Sequence, residues 1–564
     1  MRVLKFLKNI LPVVLVPVVL GSCRKMLETD AGDVLEEKNM YRDVFDADAA
    51  VLGVYGKFMN LAERYVVLNE LRADLMAPTA NADEYQKQLS EHNVSESSPY
   101  ANPRPFYEVI LNCNDVLYHL DGMLRDKKLK EDQYAMRYSD IAALRSWVYL
   151  QLGIQYGKVP YITAPLSTAA ELESINRLPR IGLTALIDSL QKTVEALPTR
   201  EPYSATASLV TTVDGYKTNK FFINKKVLLA ELYLWQGQYN KAARQYKEVM
   251  ETGTGQLYNY RMTGLSAGDN DDLAVWYKRY REQDETQIID NNTQGWRSIF
   301  ARNDDALFNY EWLWYLPFDS RFQPVNPFIN LFSNRGGHYK VKPSVAAMEA
   351  WNSQKQKNDF PFDARGPVFS YRQLDGQPVI MKYLYNYLTG TGFAPANLFD
   401  KGGKWFLYRA ASLHLGFAEA ANRDNQPAVA YALVNQGMTT VPNRITSLPA
   451  PYDFDARKTD NPSYTGDWAL NVGLRGRANL YSQKIDTFNV LQVEDGIINE
   501  SGLELAYEGR RWSDLLRVAR RRNDPAFLAD KVYTKLQKEN NPQAGAARAR
   551  LMDPEKWYLP FKWQ

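Results

Sequence analysis

The chain has 564 residues, 45% of them hydrophobic and 24% charged, with 68 Lys+Arg against 65 Asp+Glu. A net charge of +3 lacks the basic excess of a nucleic-acid binder, and the apolar share suits a chain with a large buried core. Only Cys23 and Cys113 are cysteines, too few for a disulfide framework.

The first element is a leader. Arg2, Lys5 and Lys8 precede an apolar run from Ile10 to Leu20, which is too short to span a bilayer and has the proportions of a secretory signal. It ends in Leu20-Gly21-Ser22-Cys23, which resembles the bacterial lipobox L-[AG/S]-[AG/S]-C. Cys23 is therefore the expected lipidation site and first mature residue. Several acyl chains give lasting membrane attachment where one is marginal. Removing residues 1–22 takes away three basic and no acidic residues, leaving 65 of each sign.

Apolar residues then recur at three-and-four spacing from Asp46 to Ala62 and from Pro105 to Leu124, which predicts amphipathic helices. Cys113 falls inside the second pattern and reads as a small buried side chain. A longer helix is predicted from Asp132 to Tyr156, stopped by Gly157 and Pro160. Further helices are expected over Leu183–Leu197 and Lys220–Trp235. The spacing Tyr233-x3-Gly237-x-Tyr239-x2-Ala242-x3-Tyr246 matches the second half of a tetratricopeptide repeat. Helical pairs are also predicted over Trp405–Ala421 with Pro427–Gly437, and over Val490–Arg522. Trp147 and Trp235 sit in these repeats and read as core. The closing Trp557-Tyr558-Leu559-Pro560-Phe561 reads as a tail pinned to the core.

Between Gly253 and Lys404, Asn, Asp, Gly and Pro punctuate short segments, predicting loops and short strands. Residues 276–332 hold 14 aromatics in 57 positions, about twice the chain's 13%. Tyr310, Trp312 and Trp314 alternate with Glu311 and Leu313, the period of a strand with one aromatic face.

The expected architecture is mainly α. Tetratricopeptide-like helical pairs, at about 40–250 and 404–522, form a scaffold around an irregular, loop-rich insert at about 253–404, with 23–564 a single unit. Local motifs in this order resemble those of the SusD/RagB family of nutrient-binding outer-membrane lipoproteins. They are Cys23-Arg24-Lys25-Met26-Leu27-Glu28 with Asp48-Ala49-Ala50-Val51-x-Gly53-x-Tyr55, then Glu70-Leu71-Arg72-Ala73-Asp74. Next come Ala143-Leu144-Arg145-Ser146-Trp147-x-Tyr149-x-Gln151-Leu152 with Tyr156-Gly157-Lys158-Val159-Pro160, and Tyr408-Arg409-x-Ala411-x-Leu413 with Ala418-Glu419-Ala420-x-Asn422. The last is Glu504-Leu505-Ala506-Tyr507-Glu508-Gly509-Arg510-Arg511-Trp512-x-Asp514-Leu515. The Asn-Pro-rich segment that closes many members is missing. The resemblance implies a lid over a TonB-dependent, SusC-like barrel on the outer face of the outer membrane, capturing oligosaccharide, or peptide, for import.

A sugar ring offers an apolar face and a rim of hydroxyls, which Trp or Tyr beside Asn, Asp or Arg can meet. Burying ~100 Å² on one ring contributes about 2.5 kcal/mol before ordering costs. The candidate platforms are Trp276, Trp296, Tyr310, Trp312 and Trp314. Tyr85 and Tyr100 join them from the polar loop Thr79–Pro103, which the resemblance places near the ligand face. Asn81, Asp83 and Asn303 are their polar neighbours. Any of these aromatics can equally be core, since aromatics dominate core burial.

Glu508, Arg510, Arg511 and Asp514 read as a structural polar network within two helical turns, and Arg517, Arg520, Arg521 and Arg522 as a solvated face. His92, His119, His338 and His414 lack metal-ligand spacing, and no nucleophile-elbow, zincin or phosphate-loop motif is present. Neither a cofactor nor a metal is expected, and no carboxylate pair is singled out for glycoside hydrolysis. A surface glycan-degrading enzyme and a protein-binding helical scaffold are the rival readings.

Overall fold

A computed structural model describes residues 40–166, 168–250, 292, 295–305, 311–320, 323–356, 359–435, 461–464 and 473–564. The leader, Cys23, Trp276 and Tyr310 lie outside these residues.

The helices follow the apolar periodicity. Helix α1 (Val44–Met59) starts at Asp43, whose carboxylate accepts from the Phe45 and Asp46 N–H groups, as an N-cap should. Helices α2 (Arg104–Arg125) and α3 (Glu131–Tyr156) pack as a hairpin. Gly157 ends α3 at φ +73°, and a Cβ there would lie 2.6 Å from the Tyr558 ring. Helix α4 (Leu183–Glu195) packs on α3. The tetratricopeptide-like spacing forms the pair α5 (Lys225–Trp235) and α6 (Tyr239–Met250). Helix α6 packs on α7 (Ala410–Arg423), which pairs with α8 (Pro427–Val434). Cys113 and Trp147 are buried, while Trp235 is half-buried beneath the Arg517 guanidinium.

Two expectations need correction. Residues Gly403–Arg409 are not the start of α7 but a strand, antiparallel to Trp312–Phe318. Trp405, Phe406 and Tyr408 are strand formers, and the helix begins only at Ala410. Both faces of Trp312–Phe318 are covered, so the alternation does not mark an exposed aromatic side. The helical pair predicted over Val490–Arg522 is present as α9 (Val490–Glu504) and α10 (Arg511–Arg522). Gly509 turns the chain between them at φ +81°, where a Cβ would meet the Tyr65 ring at 2.2 Å. A further helix, α11 (Pro525–Lys538), packs on α10.

One apolar core runs from Tyr41 to Leu559. Within it lies a charge network in which Lys382, Arg365, Arg409, Arg475 and Arg477 face Glu311, Asp363, Glu500, Glu504 and Glu508. Five cations meet five carboxylates, so the buried charges balance, as burial of ions requires. Arg510 pairs with Glu231, Arg511 with Asp74 and Arg517 with Glu419 and Asp514. The charged block is structural, but its pairs mostly bridge distant elements rather than turns of one helix. The solvated-face reading of the arginines fails as well: Arg521 and Arg522 hold Glu494, and Arg521 also holds Glu419.

The Glu70 carboxylate accepts from the Tyr507, Gly509 and Arg510 N–H groups, anchoring α10 to the motif that contains Arg72 and Asp74. The tail is pinned: Leu559 N–H donates to Gln155 and Lys562 N–H to Ala101. Among the described residues no helix is long and apolar enough to cross a membrane.

Candidate functional site

The polar loop after Ala77 is held against the insert by a short strand pair, Met76–Pro78 with Val341–Pro343. Thr79 Oγ1 donates to the Tyr339 carbonyl at 2.5 Å and accepts from Asn81 N–H at 3.1 Å. Asn81 Nδ2 reaches the His338 carbonyl at 3.1 Å. Asp83 caps the helix Glu84–Ser90, accepting from Gln86 N–H at 2.9 Å, and lies 3.5 Å from Lys340 Nζ. Asn81 and Asp83 stay exposed, and Tyr85 is half-exposed on the first turn. Asn81, Asp83 and Tyr85 thus share one fixed loop.

Tyr100 is also half-buried, with the Arg64 guanidinium 5.5 Å from its ring centre. Burial pushes its hydroxyl up, with Glu63 and Asp83 adding to the effect. Burial likewise raises Glu63, against the pull of Lys340. Glu63, Asp83, Lys340 and Arg64 therefore form a mixed-charge setting around one aromatic edge.

The segment that receives Asn81 also holds a loop that sequence reasoning missed. Arg335 pairs with Asp375 at 2.8 Å and donates to the Gly392 and Phe393 carbonyls. Gly336 sits against Leu398 and the Tyr387 hydroxyl. Leu398 is 55% exposed and Phe399 84%, with the Phe399 N–H held by Asn397 Oδ1 at 2.9 Å. An aromatic this exposed, on a locally braced turn, offers an open ring face that Trp296, Trp312 and Trp314 do not. Its only sequence signal is an apolar pair in the Gly-rich stretch 389–403.

Trp296, Trp312 and Trp314 are core and are corrected here. Each is at most 1% exposed, so no ring face is open for stacking. Their indole N–H groups are directed inward, to Glu504, the Ile299 carbonyl and the Phe221 carbonyl respectively. Trp314 lies among Phe58, Trp147 and Tyr408. Asn303 is exposed. Its Oδ1 accepts from Asn386 Nδ2 at 2.9 Å, and Asn386 Oδ1 accepts from Lys404 Nζ at 2.6 Å. Lys404 is buried near the Trp312 and Tyr216 rings, and burial lowers its ammonium to about 7 despite Asp304.

Among the described residues no group of three or more His, Cys, Asp or Glu side chains could hold a metal ion. What the exposed groups offer is recognition: hydrogen-bonding side chains beside an apolar ring, on loops fixed from behind.

Residues 379–561 match the model of the SusD family. A SusD-like protein P2 from Formosa agariphila is 21% identical over 532 residues, 88% of each chain. A SusD superfamily protein from Bacteroides vulgatus shares the fold at TM-score 0.62, with 15% identity over 92% of this chain and 96% of that one. A laminarin-binding SusD-like protein matches at TM-score 0.57, with 17% identity over 90% of this chain and 97% of its own.

Proposed function

We propose that this chain, a SusD/RagB-family protein by the match of its C-terminal third and by its fold, captures glycans at the cell surface and passes them to a SusC-like barrel. The family is one of carbohydrate-binding proteins, and a relative of the same fold is named for binding laminarin. The observation that carries the reading here is a pair of braced, exposed loops, one bearing Asn81, Asp83 and Tyr85 and the other Leu398 and Phe399, both resting on the segment 335–340. Their ordering cost is met by the fold before ligand arrives, which favours binding. Lipidation at Cys23 would keep the protein on the outer face of the outer membrane.

Binding proceeds without chemistry in this reading. The carboxylates of the C-terminal block are occupied: Glu500, Glu504, Glu508 and Asp514 all face guanidinium or ammonium groups. None is left as a proton donor beside an open cleft. The test is retention on polysaccharide-loaded gels, comparing the native chain with Phe399→Ala and Asn81→Ala/Tyr85→Ala variants. The proposal expects slower native migration on at least one glycan and at least tenfold weaker retention of a variant. Equal retention of all three proteins would remove this surface from the account.

A further inference from the structure

A cavity of about 950 Å³ opens between the end of α3, the paired strands Lys158–Pro160 and Arg180–Gly182, the first turn of α4 and the C-terminal tail. Six cations line it: Arg72, Lys158, Arg180, Arg520, Arg550 and Lys556. The one carboxylate among the lining residues is Glu555, already 3.5 Å from Lys158.

In the charge network the buried guanidinium groups of Arg365, Arg409 and Arg477 meet carboxylates, as does that of Arg511. Here, among the described residues, the four arginines contact only neutral acceptors. Arg72 donates to Gln155 Oε1 at 2.6 Å and to the Trp557 carbonyl at 2.5 Å. Arg520 reaches the Tyr558 hydroxyl at 2.6 Å and Thr184 Oγ1 at 3.0 Å. Arg180 donates to Asn176 Oδ1 at 3.2 Å and Arg550 to the Glu91 carbonyl at 3.1 Å. Arg72 is 1% exposed and its Nε has no partner. Burial lowers that guanidinium to about 9, the sign of a charge held without its counter-ion.

Aromatic rings stand beside the cations. Tyr558 is fixed over Gly157, Phe561 lies 4.2 Å from the Arg180 guanidinium, and Tyr156 completes the wall. Planar guanidinium groups match carboxylate and sulfate oxygens in paired hydrogen bonds. The volume is that of a site for a ligand of several rings rather than one small ion.

We propose that this cavity binds an anionic oligosaccharide, its carboxylate or sulfate groups meeting the arginines and its ring faces lying on the tyrosine and phenylalanine wall. The site rests on the glycan-binding reading but is separate from the Asn81–Phe399 surface. It makes acidic glycans a cargo class of this protein.

The test is calorimetric titration of the full-length protein in neutral detergent with oligogalacturonate, a sulfated tetrasaccharide, sodium sulfate and a panel of neutral oligosaccharides. An Arg180→Gln/Arg520→Gln variant is compared, with Arg550→Gln as a second should the first lose its cooperative melting. The expected result is binding of an acidic saccharide that weakens at least tenfold in the variant and severalfold between 50 and 300 mM salt, as a charge-driven contact must. Neutral binding, where present, stays the same in the variant. Neutral but no acidic binding, or acidic binding equal in native and variant protein, overturns this site and leaves the glycan reading intact. Sulfate competing as tightly as the saccharides also overturns it, by reducing the site to a simple ion trap. Silence toward every saccharide overturns both.

Discussion

Replacing Arg409 with Met removes a cation that touches three carboxylates in the core. Arg409 is 1% exposed and donates to Glu508 at 2.7 and 3.0 Å, to Glu311 at 2.6 Å and to Glu504 at 2.8 Å. In its absence Glu508 keeps Lys382, and Glu504 keeps Arg365 and Arg477. Glu311 is left with Arg477 at 3.6 Å alone. The network passes from balance to one uncompensated negative charge, a change that costs about 3–5 kcal/mol when a buried pair is broken. At about 2.1 cal/mol/K per residue, a folded body of about 500 residues has an unfolding entropy near 1 kcal/mol/K, so the melting temperature falls by about 3–5 °C. Differential scanning calorimetry reads this directly. Adding Glu311→Gln to Arg409→Met restores the balance and recovers part of the loss, the coupling expected of neighbours. A melting temperature within 1 °C of native for Arg409→Met, or a further drop in the double variant, would refute the network's structural role.

Other expectations follow from the same structure. Burial raises Asp74 and Glu419, but Arg511 outweighs it for Asp74, and Arg517 with Arg521 for Glu419, holding both near 2. Carboxyls held down by folding stabilise above their ordinary pKa and lose that contribution as pH falls toward the folded value. Denaturant titrations should therefore show stability falling between about pH 4.5 and 2, by about 2–3 kcal/mol for each group; a flat profile there would contradict the pairing. Trp314→Ala empties a core site and should cost about 3–5 kcal/mol without changing glycan affinity in protein that stays folded. Selective loss of affinity with unchanged melting would return Trp314 to the ligand site. Cys23→Ala should move the protein from the membrane fraction to the soluble fraction, and persistent attachment would sink the lipid-anchor reading.

The helical scaffold was legible because amphipathic helices carry their burial in their spacing, as the Ile110 and Leu117 pattern within α2 illustrates. Gly157 and Gly237 marked true helix ends, at φ +73° in both. The strand at Gly403–Arg409 was misread because a fully buried strand has no alternation to distinguish it from a buried helix. Partner choice in the charge network was equally hidden, since Arg409 and Glu504 lie 95 residues apart. The candidate surface was legible only in part. Asn81, Asp83 and Tyr85 share one loop, yet aromatic density drew attention to Trp296, Trp312 and Trp314, where density meant core. Phe399 carried almost no sequence signal, because exposure is decided by which neighbours the fold leaves away. The basic cavity was invisible for a related reason: its arginines come from residues 72, 180, 520 and 550, and only the fold makes them neighbours without carboxylates.

The central claim is capture without chemistry. Its most direct test is calorimetric titration of the chain beginning after Cys23 against polysaccharides, oligosaccharides and peptides, with the cell contents sized afterwards. The account predicts micromolar binding, about −8 kcal/mol, to a glycan class recovered at full length. Shortened glycan in the cell would show an enzyme, and binding confined to peptides would contradict the glycan reading.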